Sequence, residues 1–262
     1  MQLIKHTFFK TYFLAVALSC FAFYSCNFFE TKHSNKIIKH TVFVIEDKIT
    51  KVEKQNVDTS YLESLFKQYN LVDINTLDST IKVNLKYADT ANFLHLNFYD
   101  GLKKAYLPCE VANHLCNAQF YLKQININYS LVIFDAVRPL HLQQLMWDSL
   151  KIEPNLKYNY LAPPYQESLH NYGCAIDLSI IDISTNILLD MGTEFDAFTK
   201  LSQPAYEWQF LKTNELTSEA FENRKLLRKV MQLAKFYPIT SEWWHFNYCT
   251  KEQAMRRFEL VK

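Results

Sequence analysis

Two short stretches carry acid and imidazole groups among aliphatic and aromatic neighbours: SLHNYGCAIDLSI, residues 168–180, and SEWWHFNY, residues 241–248. In the first, His170 precedes Asp177 by seven residues, with Gly173 between them to permit an unusual backbone path. An imidazole and a carboxylate brought to one point suit a zinc ion. Asp177 is the only charged residue in GCAIDLSI, and a lone carboxylate in an apolar strand is costly to bury unless it is paired or metal-bound. The second stretch adds His245 as a third protein ligand, with the fourth position left to water, and Glu242 three residues earlier as a general base. Trp243 and Trp244 would wall such a site. In FDAVRPL, Arg138 stands at the end of an apolar run, where its guanidinium could stabilise an oxyanion. Each piece alone has a plainer reading: Asp177 salt-bridged to a neighbour, EWWH as the edge of an aromatic core, Arg138 paired with Asp135.

Together the pieces form a pattern. DxxRP (Asp135, Arg138, Pro139), SxHxxGxAxD (Ser168, His170, Gly173, Ala175, Asp177) and EWWH (Glu242 to His245), with KYADTANF and MGTEFD, resemble the D-alanyl-D-alanine dipeptidases, a family of zinc D,D-peptidases. The resemblance runs from Tyr61 to Tyr248. It implies one zinc ion per chain held by His170, Asp177 and His245, with Glu242 as catalytic base and Arg138 as transition-state stabiliser. It also implies that Tyr87 and Asp196 hold the free ammonium of a D-Ala-D-Ala substrate, with Ser168 near the peptide's other end. Two rivals keep the same metal set: a zinc D,D-carboxypeptidase acting on longer wall peptides, and a catalytically silent zinc-binding lipoprotein.

The elements that must position these groups can be read from periodicity. YLESLFKQY, CEVANHLCNAQFYLKQI, PLHLQQLMWDSLK and SEAFENRKLLRKVMQLAKF have helical spacing, the last with Ser218 as N-cap. TIKVNLKYA, YSLVIFDAV and CAIDLSIIDI read as strands. Helices and strands intermix without regular βαβ alternation. The expectation is an α+β single domain with a mainly antiparallel central sheet flanked by helices, and the resemblance implies the D,D-peptidase or hedgehog-like zinc peptidase fold.

Composition narrows the function. With 28 basic and 27 acidic residues the formal charge is +1, and the basic residues are scattered, so nucleic acid is not an expected partner. The chain has only 3 glycines, which excludes glycine-rich phosphate loops. At 262 residues it can hold one substantial domain plus extra sequence at the front. That front, residues 1–26, has Lys5 and Lys10 before an apolar run too short to span a bilayer, and meets Cys26 after a small residue. The pattern resembles a bacterial lipoprotein signal with Cys26 as acylation site and Cys20 as the alternative. Residues 27–60 read as a polar tether, and 61–262 as the catalytic domain. The expected product is an exported, periplasmic or envelope protein that meets the membrane only through a lipid anchor. Cys109, Cys116, Cys174 and Cys249 are expected as small buried residues. Cys109 and Cys116 would lie about 10 Å apart along a helix, too far to bond.

Overall fold

The computed structural model describes residues 59–262. The export segment, Cys20, Cys26 and most of the tether lie outside the described residues.

The run YSLVIFD is apolar on both faces, as a central strand must be when covered on both sides. It forms β4 (Tyr129–Asp135), buried from Ser130 onward, and pairs antiparallel with β5 (Ala175–Asp182). On the far side of β5 lies β8 (His245–Asn247), antiparallel, and beyond it β7 (Tyr237–Pro238); the short β6 (Ile187–Leu188) also pairs with β5. One outer strand, β2 (Lys82–Val83), runs parallel to β4, so the sheet is mixed, with antiparallel pairs in the majority. A separate pair is made by β1 (Leu71–Asp73) and β3 (Tyr106–Pro108).

Among the described residues the helices are α1 (Thr59–Gln68), α2 (Cys109–Ile125), α3 (Leu140–Ser149), α4 (Glu207–Lys212), α5 (Ser218–Leu233) and α6 (Lys251–Arg257). In α2, Val111, Ala112, Leu115, Ala118, Gln119 and Leu122 recur at i, i+3 and i+4, and this buried stripe packs on β4 and α5. Gln119 ties the helix to the sheet through the Leu131 amide at 2.8 Å and Ser130 Oγ at 3.0 Å. The expected α+β domain with a mainly antiparallel sheet is what forms.

Several local expectations differ. TIKVNLKYA does not stay extended: only Lys82 and Val83 join the sheet, and Lys86–Ala88 winds into a 3-10 turn. The Tyr87 carbonyl accepts from the amides of Phe98 and Tyr99, at 2.8 and 2.9 Å, which folds the chain back on itself and ends any pairing. The N-cap of α5 is Thr217 rather than Ser218, its hydroxyl accepting from the Ala220 amide at 3.0 Å. The four cysteines are free; Cys174 and Cys249 are buried as expected, while Cys116 is half-buried and Cys109 is exposed on the first turn of α2.

Candidate metal centre and cleft

Three strands place one row of polar groups across the sheet. Asp177 on β5 sits opposite His245 on β8 and opposite Asp135 on β4. Alternation turns Asp177 away from Ile176 and Leu178, so its carboxylate leaves the apolar layer. The pairing to β4 shifts by one residue between Ile133 and Asp135, a bulge that brings Asp135 level with Asp177. Without it Phe134 would face Asp177.

His170 arrives from a 3-10 turn, Leu169–Tyr172. Ser168 caps that turn: its hydroxyl accepts from the His170 amide at 3.2 Å, while its own amide donates to Asn171 Oδ1 at 2.6 Å. Gly173 closes it at φ 62°, where a Cβ would stand 2.5 Å from Pro108 Cδ, so only glycine turns the chain into β5. The Arg138 amide donates to the His170 carbonyl at 3.0 Å, and Asn171 Nδ2 to the Arg138 carbonyl at 2.7 Å, so the two loops are locked together.

The result is a cluster of His170, Asp177 and His245. His245 Nδ1 lies 3.0 Å from Asp177 Oδ1 and 3.3 Å from His170 Nε2, and His170 Nε2 lies 3.5 Å from Asp177 Oδ1. A tetrahedral ion with bonds of about 2.0–2.1 Å separates its ligands by roughly 3.3 Å, so these atoms have the spacing of one face of such a tetrahedron. The outer ring nitrogens are also engaged: His170 Nδ1 on the Ala136 carbonyl at 2.8 Å and His245 Nε2 on Asn247 Oδ1 at 2.7 Å. Each imidazole can therefore keep its proton outside and turn a lone pair inward. The donor set fits a divalent metal.

Burial pushes the Asp177 carboxyl up, but the charges and hydrogen bonds of His170 and His245 outweigh it and hold it well below the usual range. Burial lowers His245, yet its bond to Asp177 and the charges of Asp177 and Glu242 win, leaving it raised to about 9. Glu242 Oε2 stands 3.9 Å from His245 Nδ1, and burial followed by the negative charge of Asp177 lifts its pKa above the ordinary glutamate value.

Arg138 is buried and forks onto Asp135 Oδ2 through Nε at 3.0 Å and Nη2 at 2.6 Å. The ion pair and the cleft-facing position are both realised, because Arg138 also lines the cleft, its Cζ 5.2 Å from the centre of the Tyr87 ring. Asp135 Oδ1 is filled by the Tyr99 hydroxyl at 2.7 Å and the Ala136 amide at 3.0 Å.

The same cleft is lined by Asp196, at φ 58°, accepting from the Tyr87 hydroxyl at 3.0 Å. Burial, then the charge of Asp177, raises its pKa well above that of a free aspartate. Tyr87, Arg138, Ser168, His170, Asp177, Asp196, Glu242 and His245 thus line one cleft of about 530 Å³, with Tyr160, Phe198 and Trp244 as its aromatic wall. Trp243 does not share that wall. Its Nε1 donates instead to Thr193 Oγ1 at 2.9 Å. Tyr99, Asn171, Asn247 and Thr193 were not singled out by sequence reasoning. Only Asn247 left a local trace, two residues after His245 on the same strand face.

An α+β sheet bringing two histidines and an aspartate to one point, with the Glu242 carboxylate 3.9 Å from one of them, has the donor set of a metallopeptidase. A model of the D-Ala-D-Ala dipeptidase family matches residues 67–261, and the chain belongs to that family. A D-alanyl-D-alanine dipeptidase of Escherichia coli is 31% identical over 181 residues, covering 68% of this chain and 83% of the relative. One from Synechocystis is 27% identical, covering 57% and 71%. Two solved structures are more distant, each with a TM-score of 0.35: an LD-carboxypeptidase, LdcB, at 21% identity, covering 58% of this chain and 63% of its own, and a zinc-bound D,D-pentapeptidase, VanY, at 14%, covering 58% and 78%.

Proposed function

We propose that the chain is a zinc dipeptidase that hydrolyses D-Ala-D-Ala in the cell envelope and serves the turnover of peptidoglycan-derived dipeptide. The observation that carries this reading is one cleft holding a metal-competent His170, Asp177 and His245 set, with Glu242 beside it and the Tyr87–Asp196 pair lining the same cleft. Zinc is the ion that the family resemblance implies for these two imidazoles and one carboxylate, and when bound it supplies Lewis acidity, polarising a carbonyl and lowering the pKa of water to about 7.

The chain's own residues do the rest. Glu242 takes the proton of the attacking water and later returns it to the leaving amine. Arg138, held rigid by Asp135, meets the negative charge that grows on the carbonyl oxygen without having to reorganise. Asp196, with Tyr87, receives the substrate's free ammonium. An N-acylated peptide brings no cation there and leaves the carboxylate buried without a countercharge, which restricts the cleft to free dipeptides. Ser168 lies toward the carboxyl end. The preference for D residues rests on the family and its named members. The leader resembles a lipoprotein signal, which supports export and a lipid on Cys26.

The test is turnover of free D-Ala-D-Ala, its N-acetyl derivative and L-Ala-L-Ala, before and after chelation and with zinc restored. Zinc-dependent cleavage of the free D,D dipeptide alone is expected. Cleavage of the acylated peptide instead identifies a carboxypeptidase, and zinc binding without turnover a silent binding protein.

A further inference from the structure

We propose that Asn247 is a positioning residue for the metal centre, its side-chain oxygen deciding which nitrogen of His245 faces the ion. The inference rests on the zinc-peptidase reading above and adds a residue that the catalytic set does not contain. His245 and Asn247 are two apart on β8 and so project from the same face. The strand is held from both sides, with Asn247 opposite Ala175 of β5 and Tyr237 of β7, so the amide sits on a fixed frame.

Asn247 Oδ1 stands 2.7 Å from His245 Nε2, closer than Asp177 Oδ1 at 3.0 Å or His170 Nε2 at 3.3 Å on the ring's other nitrogen. An amide oxygen only accepts, so Nε2 must carry a proton. A neutral imidazole has one N–H, and placing it on Nε2 leaves the Nδ1 lone pair aimed at the metal position. In the opposite tautomer, Nδ1–H would project into the ligand set and two lone pairs would face each other across 2.7 Å at Asn247. The other histidine needs no such side chain, because His170 Nδ1 is held by the backbone carbonyl of Ala136 at 2.8 Å. His245 is therefore the ligand whose orientation depends on one replaceable group.

The experiment uses the full chain and two readings of zinc itself. Competition with a chromophoric chelator gives the zinc dissociation constant of wild type, Asn247→Leu and Asn247→Asp. Loss of the acceptor in Asn247→Leu is expected to weaken binding about 10–100-fold, and Asn247→Asp, which keeps an acceptor, is expected to restore it. Long-range proton–nitrogen NMR of zinc-loaded wild type reads the tautomer without any variant. A protonated Nε2 with a metallated Nδ1 supports the proposal; a metallated Nε2 overturns it, as does unchanged affinity in folded Asn247→Leu. If wild type binds no zinc, the zinc-peptidase reading fails first and takes this inference with it, whereas wild-type binding with an indifferent Asn247 removes this inference alone.

Discussion

Asp177 Oδ1 and His245 Nδ1 face each other across adjacent antiparallel strands at 3.0 Å, as register partners in the ladder between β5 and β8. The geometry that presents both atoms to a metal also lets them share a proton when the metal is absent. With its pKa raised to about 9, His245 in the metal-free protein is an imidazolium paired with a carboxylate. A raised pKa stabilises the fold below the unfolded value near 6.5, and that contribution disappears as pH climbs through the folded value. The melting temperature of metal-free protein should therefore fall between pH 7 and about 9.5. Zinc displaces that proton, so its apparent affinity should rise over the same range, with proton release measurable by calorimetry in two buffers. A flat stability profile together with pH-independent zinc binding would contradict the shared-proton arrangement.

Glu242 reaches the centre without joining it: its Oε2 is 3.9 Å from His245 Nδ1, whereas the three ligand atoms lie within 3.5 Å of one another. Glu242→Gln should lower kcat by about 10²–10⁴ while zinc stoichiometry stays that of wild type. Loss of the metal along with activity would make Glu242 a ligand and not a base.

How much of this was legible beforehand follows from the range of each interaction. Of the His170 turn, only the unusual backbone path at Gly173 was readable; its cap, Ser168, was not. The candidate triad could be singled out because each of its residues sits in a short motif, and the structure brings the three together. What escaped is non-local. Tyr99 reaches Asp135 across 36 residues, and no spacing rule links them. The shift between Ile133 and Asp135 is a pairing event between strands and leaves no composition signal. TIKVNLKYA alternates as a strand does, but the tertiary pull of the Phe98 and Tyr99 amides on the Tyr87 carbonyl overrides that local preference.

Ammonium recognition predicts a change in selectivity. Asp196→Asn removes the charge but keeps the shape, so discrimination between free and N-acetylated dipeptide should shrink by about 10–150-fold, the worth of a charge-assisted bond of about 1.5–3 kcal/mol. Tyr87→Phe deletes only the 3.0 Å hydroxyl contact and should raise KM by less. Equal loss on both substrates would mean that Asp196 only shapes the loop.

The thiols should react in order of burial. Cys109 is exposed and should alkylate first. Burial pushes Cys116 up to about 11, so its labelling should grow about tenfold per pH unit between pH 8 and 10, as the thiolate fraction does. Burial also raises Cys174 and Cys249, which should stay protected until the chain unfolds. Peptide mapping after timed alkylation reads all four, and rapid native labelling of Cys174 would contradict the packing between β5 and β8.

The segment carrying Asp196 is anchored from beneath by one buried cation. Arg224 on α5 donates through Nε to the Met191 carbonyl at 2.7 Å and through Nη1 to the Leu201 carbonyl at 3.0 Å, so a single guanidinium grips the segment on both sides of Asp196. Its neighbour Glu207 is also bonded by Arg228, so removing Arg224 does not leave that carboxylate alone. Arg224→Met should therefore act mainly by freeing the buried Met191 carbonyl, worth about 1–3 kcal/mol, and the part-buried Leu201 carbonyl, worth less. A lysine cannot compensate, because one ammonium cannot replace a planar fork that reaches two carbonyls. Hydrogen exchange of residues 192–203 should accelerate in both variants, and KM for the free dipeptide should rise more than kcat falls, since the three candidate ligands lie on other elements, the His170 turn, β5 and β8. Unchanged exchange in that segment would show that Asp196 is positioned without Arg224.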